Sequence, residues 1–243
     1  MIAINLFKRY LIILSITAIT TNSYAQYDSI AVAILDSVSD KVSALETCSF
    51  SFDSEFDISN SEYGLITHTE SGNVYLKGPD KLCIERIGDR GHRKFFYDGK
   101  TFSLYSFDKN QFATAPATIS LIELIDSLSS YYGVEVPGID IFYPDFVDNI
   151  LATSNNLVFL GPVMIDNIQC YHIAGAADDM TFQFWIKTES PGLPLKMSIV
   201  YINKPEKLRY SIKFSDWKLD EDISDSAFEF TAPEGAKKIK LIK

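Results

Sequence analysis

The segment Ser49-Phe50-Ser51-Phe52-Asp53 alternates polar and aromatic side chains, and this period of two recurs along much of the chain. Successive side chains of a strand point to opposite faces, so the alternation marks a half-buried sheet and does not suit a helix. Leu65 to Leu76 and Leu82 to Ile87 continue the pattern on either side of the turn Gly78-Pro79-Asp80. Lys94 to Tyr97 and Thr101 to Tyr105 flank Asp98-Gly99, a pair suited to a two-residue hairpin turn with positive φ at both central positions. Asp108-Lys109-Asn110 then turns the chain toward Phe112 and a break at Pro116. A second block of strands runs over Leu157 to Leu160, Ile168 to Ala174, Thr181 to Lys187, Lys196 to Ile202 and Leu208 to Trp217. Turns fall at Asp166-Asn167, Ala177-Asp178-Asp179, Pro191-Gly192 and Asn203-Lys204-Pro205, and a last short strand includes Phe228 and Phe230.

Helical spacing interrupts this pattern twice. Between Ser29 and Leu45, the residues Ile30, Ile34, Val38, Val42 and Leu45 fall on one stripe, with Asp28 or Ser29 able to cap the start. Between residues 118 and 152, Leu121, Ile122, Leu124, Ile125 and Leu128 follow the same logic. Ser120 with Glu123 forms a capping box, and Gly133 stands where a C-terminal cap belongs. A second short helix is expected from Pro144 to Leu151, with Pro144 in its first turn. About ten strands in two blocks, one helix in front and two between, imply an α+β protein on a strongly curved antiparallel sheet.

The strands carry apolar residues on both faces. Phe182, Phe184 and Ile186 point one way and Trp185 the other, while Phe95 and Tyr97 oppose Phe96. With 17 Phe and 13 Tyr in the chain, a sheet solvated on one side would show cleaner alternation. Either both faces are covered or the sheet self-associates, or one face packs helices and its remaining apolar area lines a pocket.

The N-terminus bears on location. Lys8 and Arg9 precede a short apolar run from Leu11 to Thr20, and Ser23-Tyr24-Ala25 supplies small residues at −3 and −1 of a cleavage site. The run is shorter than the ~20 residues needed to cross a bilayer. We therefore expect residues 1–25 to be a signal peptide and the mature chain to begin at Gln26 without a transmembrane anchor. The protein is expected to be exported, with a periplasm as its destination. Removing Lys8 and Arg9 takes the formal charge from −10 to −12. An acidic chain without a basic cluster disfavours nucleic acid as a partner. Lys237, Lys238, Lys240 and Lys243 read as a solubilising tail. The three cysteines, Cys48, Cys83 and Cys170, allow either one disulfide with a free thiol, Cys48 to Cys83 being the candidate pair, or three buried thiols.

No pattern of catalytic or cofactor-binding residues stands out. Cys170 and His172 share a strand face, but a metal site needs two more ligands and no second Cys/His pair is visible. There is no nucleophile elbow, phosphate loop or dinucleotide fingerprint. The pairs Asp178-Asp179 and Asp220-Glu221-Asp222 sit in turns, where solvated charge explains them. Catalytic residues, metal ligands and cofactors are therefore all expected to be absent.

Several stretches resemble one family. They are Phe96-Tyr97-Asp98-Gly99-Lys100, Ala113-Thr114-Ala115-Pro116, Asn167-Ile168-Gln169-Cys170-Tyr171-His172, Phe184-Trp185-Ile186, Leu193-Pro194-Leu195-Lys196, Phe214-Ser215-Asp216-Trp217 and Phe228 to Ala236. In this order they resemble the predicted periplasmic proteins grouped as domain of unknown function 2092, over roughly residues 30 to 240. More remotely, the layout is similar to the LolA/LolB-type lipoprotein carriers. The resemblance implies a single domain over 26–243, an incomplete β-barrel with the N-terminal helix and the 118–152 insertion on its concave side. It also implies a non-enzymatic binding or carrier role for a lipid chain or lipidated protein. The alternative is an interaction or sensing module that docks another envelope protein. Candidate ligand-lining residues are Ile34, Val38, Phe102, Leu104, Leu121, Ile125, Leu128, Trp185 and Ile199.

Overall fold

The computed structural model describes residues 26–132 and 138–240. The expected signal peptide, Gly133 and the side chain of Leu128 lie outside the described part. β1 (Gln26–Tyr27) leads into α1 (Ser29–Ser43). Six strands follow: β2 (Thr47–Asn60), β3 (Gly64–Lys77), β4 (Lys81–Gly88), β5 (Gly91–Tyr97), β6 (Thr101–Ser106) and β7 (Gln111–Pro116). The chain then forms α2 (Leu121–Tyr132), a 3-10 turn (Ile139–Phe142) and α3 (Phe146–Thr153). It returns through β8 (Ser154–Ile165), β9 (Ile168–Ala177), β10 (Met180–Lys187), β11 (Pro194–Tyr201) and β12 (Arg209–Leu219). A second 3-10 turn (Asp225–Ala227) precedes β13 (Lys237–Lys238).

The thirteen strands among the described residues belong to one open sheet, in the order β1-β8-β9-β10-β11-β12-β2-β3-β4-β5-β6-β7-β13. Each block of strands is a run of antiparallel neighbours, and β12 joins the two blocks by pairing with β2, from Tyr210 opposite Phe56 to Leu219 opposite Cys48. About ten strands were expected. Eleven form the antiparallel run, and a two-residue strand lies parallel to it at each end. These end strands satisfy part of the backbone of β8 and β7, which would otherwise be exposed edges. The basic tail is thus partly structural: Lys237 and Lys238 pair with Gln111 and Phe112.

The helices confirm the general reading and correct its details. Asp28 caps α1, its Oδ1 accepting from the Ile30 amide at 2.8 Å. The buried stripe is Ala31, Leu35, Val38 and Val42, whereas Ile30 is 53% exposed. A strict spacing of four advances 400° and drifts by 40° per step, so 4-3-4 spacing is what holds one face to the core. Ser120 and Glu123 form the expected capping box: the Ser120 amide donates to Glu123 Oε2 at 2.8 Å and the Glu123 amide to Ser120 Oγ at 3.3 Å. α3 begins at Phe146, so Pro144 precedes it rather than standing in its first turn.

Three turns show where local signals succeed and fail. Asp166 and Asn167 both have positive φ, 49° and 63°, and close the β8–β9 hairpin as a two-residue turn. At Asp98-Gly99 only Gly99 has positive φ. Residues 98–100 separate the strands there, and Asp98 Oδ1 accepts from the amides of Lys100 and Thr101. β8 runs through Gly161-Pro162, past the expected strand end at Leu160. A register shift between Phe159 and Gly161, with Gly161 at φ 100°, absorbs the extra residue as a bulge. Pro162 is tolerated because β8 borders only the two residues of β1 on its other side.

The face of the sheet that meets the helices carries one core. Phe50, Phe52, Val74, Ile84, Phe95, Tyr97, Ile173, Phe184, Ile212 and Phe214 pack with Leu35, Val38, Ile125 and Phe146. Phe50 stacks among Phe142, Phe214 and Trp217, with ring centroids 6.1, 5.6 and 4.5 Å away. Each such ring contact adds about 0.5–1.5 kcal/mol to the burial itself. The opposite face is covered over β4 to β7 by the C-terminal segment. Phe228 is fully buried and is not in a strand, contrary to expectation. Phe230 packs against Phe96, Tyr105 and Phe112, with centroids 5.2–5.9 Å apart. Apolar residues on both faces therefore have separate covers: helices on one side, the chain's own C-terminal strap on the other.

Candidate functional site

A cleft of about 590 Å³ lies between the helical insertion and the sheet. Its floor is Phe182 and Phe184 of β10 with Met197 and Ile199 of β11. These four share one face because the register sets Phe182 opposite Ile199 and Phe184 opposite Met197. The roof is Tyr143, Phe146, Asn149, Ile150 and Thr153, with Asp126 of α2, and the β9–β10 turn adds Asp178 and Asp179. Gly175 lets the floor lie flat, since a Cβ there would stand 2.3 Å from the Phe182 ring.

Hydrogen bonds hold the rim in place. The Tyr143 hydroxyl donates to Asp126 Oδ1 at 2.7 Å, tying α2 to the approach to α3. Asn155 Nδ2 donates to Asp178 Oδ1 at 2.8 Å. The hydroxyl of buried Ser154 has no hydrogen-bond partner among the described residues, and Ser154 lines the cleft. The rim carries three carboxylates, and no lysine or arginine stands among the described residues that line it.

Of the nine lining residues expected from sequence, the structure places Ile199 in this cleft. Val38, Phe102 and Ile125 are buried core residues, and Ile34, Leu104 and Leu121 pack partly exposed against that core. Trp185 is on the opposite face, stacked on His172 with centroids 4.7 Å apart and with Lys196 Nζ 5.3 Å from its ring. Sequence reasoning missed Met197 and the turn Asp178-Asp179. It set Phe182 and Phe184 together on one face, away from Trp185, without naming them as lining.

A second concavity, of about 430 Å³, opens further along the same sheet face. Phe56, Ile58, Tyr201, Leu208 and Tyr210 line it together with Arg86, Arg90, Lys204 and Arg209. Glu70 receives hydrogen bonds from Arg86 Nε at 3.0 Å and from Ser54 Oγ at 3.3 Å. Arg90 lies over the Phe56 ring, its Cζ 6.0 Å from the centroid.

The titratable groups elsewhere serve structure. Cys48 and Cys83 do not pair: Cys48 lies in the core beneath the helices and Cys83 on the other face, paired in register with Tyr75 and Phe96. Burial pushes the Cys48 thiol up to about 12, with a contribution from the charge of Asp220, and the Cys83 thiol up to about 11. His172 Nε2 lies 2.9 Å from Gln183 Oε1, and Cys170 bonds to the Ile168 carbonyl. Among the described residues, no three His, Cys, Asp or Glu side chains converge as a metal site. Burial opposes the charge of Glu85, but hydrogen bonds from His92 and Lys94 hold its carboxyl below the usual range. Asp225, bonded by Lys77 and Lys81, is held down to about 2.

A family model described as "Predicted periplasmic protein (DUF2092)" matches residues 31–242. No curated protein matches the chain in sequence. Among solved structures, an uncharacterized conserved protein from Thermus thermophilus has a TM-score of 0.50 at 14% identity, over 87% of this chain and 99% of that one. The lipoprotein LppX of Mycobacterium tuberculosis has a TM-score of 0.49 at 18% identity, over 81% and 98% of the two chains. A LolA superfamily protein from Nitrosomonas europaea has a TM-score of 0.37 at 15% identity, over 82% and 97%. At such identities the likeness concerns the fold alone. No helix among the described residues is long and apolar enough to cross a membrane.

Proposed function

The chain belongs to the DUF2092 family of predicted periplasmic proteins, and from that premise we propose that it is a non-enzymatic envelope carrier whose cleft holds an apolar chain. The observation that carries this reading is the cleft itself. Its volume of about 590 Å³ falls within the roughly 300–1,000 Å³ typical of ligand sites. Two phenylalanines, a methionine and an isoleucine make its floor, and its roof is the helical insertion. In this reading residues 26–243 act as one incomplete barrel, with the insertion at 118–152 as a lid that opens to load and release.

Each methylene removed from water contributes ~0.8 kcal/mol, so a chain of a dozen carbons gains roughly 10 kcal/mol before ordering costs. Those costs bring net affinity into a range from which a ligand can still be released. The ligand class is a lipid chain, free or attached to a protein.

Native mass spectrometry of protein purified from the periplasm, followed by organic extraction, tests the reading. A recovered acyl-chain ligand is expected. Protein that is consistently empty, together with a co-purifying envelope protein, would replace the carrier with a docking module.

A further inference from the structure

The apolar cleft and the basic cleft meet end to end. Met180, on the floor side of the first, pairs in register with Tyr201 of the second, and Ile199 of the first pairs with Tyr210 of the second. Paired residues of adjacent antiparallel strands lie about 5 Å apart on one face, so the two hollows form one continuous surface. The balance of charge differs between its two ends. The helix-roofed end has three carboxylates at its rim, and the far end gathers Arg86, Arg90, Lys204 and Arg209.

This basic gathering stands out in a chain whose overall net charge is −10. Glu70 answers one of the four cations through Arg86, and Asp57 is engaged by the Arg209 amide and the Thr67 hydroxyl. Arg90 and Lys204 are exposed at the mouth. The Phe56 ring beneath Arg90 and the neighbouring tyrosines form an apolar floor under these cations. A cation over such a floor favours a group that brings negative charge and an apolar stem together.

We propose that the basic cleft is the head-group subsite of the same ligand, an amphiphile with an anionic head of the phosphate class whose tail enters the helix-roofed cleft. This rests on the carrier reading and adds a polarity to it. The carboxylate rim repels the head from one end, and the arginines receive it at the other.

The test uses the mature protein and probes that share one dodecyl tail, each below its micellar concentration. Dodecyl phosphate, dodecyl maltoside, dodecyltrimethylammonium and inorganic phosphate are titrated by calorimetry at low and at physiological salt. Dodecyl phosphate is expected to bind about tenfold more tightly than the maltoside at low salt, and the cationic probe more weakly than either. The preference should shrink as salt rises. Arg90→Glu with Lys204→Glu should bring dodecyl phosphate down to the maltoside's affinity, while Lys213→Glu, on the opposite face, should keep the preference.

Equal affinity for the three dodecyl probes would overturn the head-group subsite and leave the carrier standing. Failure of every dodecyl probe to bind would overturn both. Inorganic phosphate binding as tightly as dodecyl phosphate would make the basic cleft a free-anion site and break its link to the tail. An equal loss in the Lys213 variant would reduce the effect to net charge and overturn the proposal.

Discussion

The ring of Phe146 on α3 stands edge-on to that of Phe184 on β10, with centroids 5.8 Å apart and planes at 87°. This contact fastens the roof of the apolar cleft to its floor, and both rings are buried. Phe146→Ala should therefore destabilise the protein by about 3–5 kcal/mol, with Phe146→Leu costing much less. Urea denaturation measures the difference. A loss below about 1 kcal/mol for the alanine variant would mean the ring is not seated as described.

Ile199 and Trp185 separate the cleft from the face behind it. Ile199→Trp projects bulk into the cleft and should weaken a dodecyl probe by at least about tenfold. Trp185→Ala removes a ring stacked on His172 on the reverse side and should leave probe affinity within about twofold. If the tryptophan deletion abolished binding and the isoleucine change did not, the ligand surface would lie on the other face.

The thiols should be silent in the native state. With the Cys83 thiol at about 11 and Cys48 at about 12, roughly one Cys83 in a thousand is thiolate at pH 8, and fewer at Cys48. Cys170 is shifted up as well, by burial. Ellman's reagent should find almost no thiol in folded protein and three equivalents after denaturation, because all three cysteines are free. Recovery of only one equivalent after denaturation would reveal a disulfide and contradict the placement of Cys48 and Cys83 on opposite faces.

Asp225 fastens the C-terminal strap, through Lys77 at 2.7 Å and Lys81 at 2.6 Å. Its folded pKa of about 2 lies below the unfolded value near 3.9. The contribution is thus complete above about pH 4 and is lost as pH falls toward 2. Hydrogen exchange at the amides of Lys237 and Ile239, which bond to Asn110 and Phe112, should accelerate in that window before the core opens. Asp225→Asn should reproduce the effect at pH 7. Unchanged exchange in that variant would show that Phe228 and Phe230 hold the strap alone.

The sheet could be read from sequence because strand alternation is local: Phe95, Tyr97, Phe182, Phe184 and Ile186 all fall on the face their spacing assigns. The cleft could not be read in this way, since its lining comes from α2, α3, β10, β11 and a turn whose aspartates look like ordinary solvated charge. Residues such as Phe102 and Val38 have the chemistry of cleft lining but are buried in the core. Only the packing of distant elements separates the two roles. The strap escaped for a related reason. Phe228 and Phe230 alternate like strand residues, yet the backbone there follows a 3-10 turn and pairs only later, at Lys237.

The join between β12 and β2 governs how such a molecule can assemble. Every other pairing in the antiparallel run lies within one block, so two meanders can grow from nearby turns. The contact that fuses them brings Tyr210 to Phe56 and requires a loop of about 150 residues to close, an entropic step that comes late and slows folding. Until that seam zips, the apolar faces of both halves stay open to solvent, which makes the newly exported chain most vulnerable to aggregation before its cleft exists.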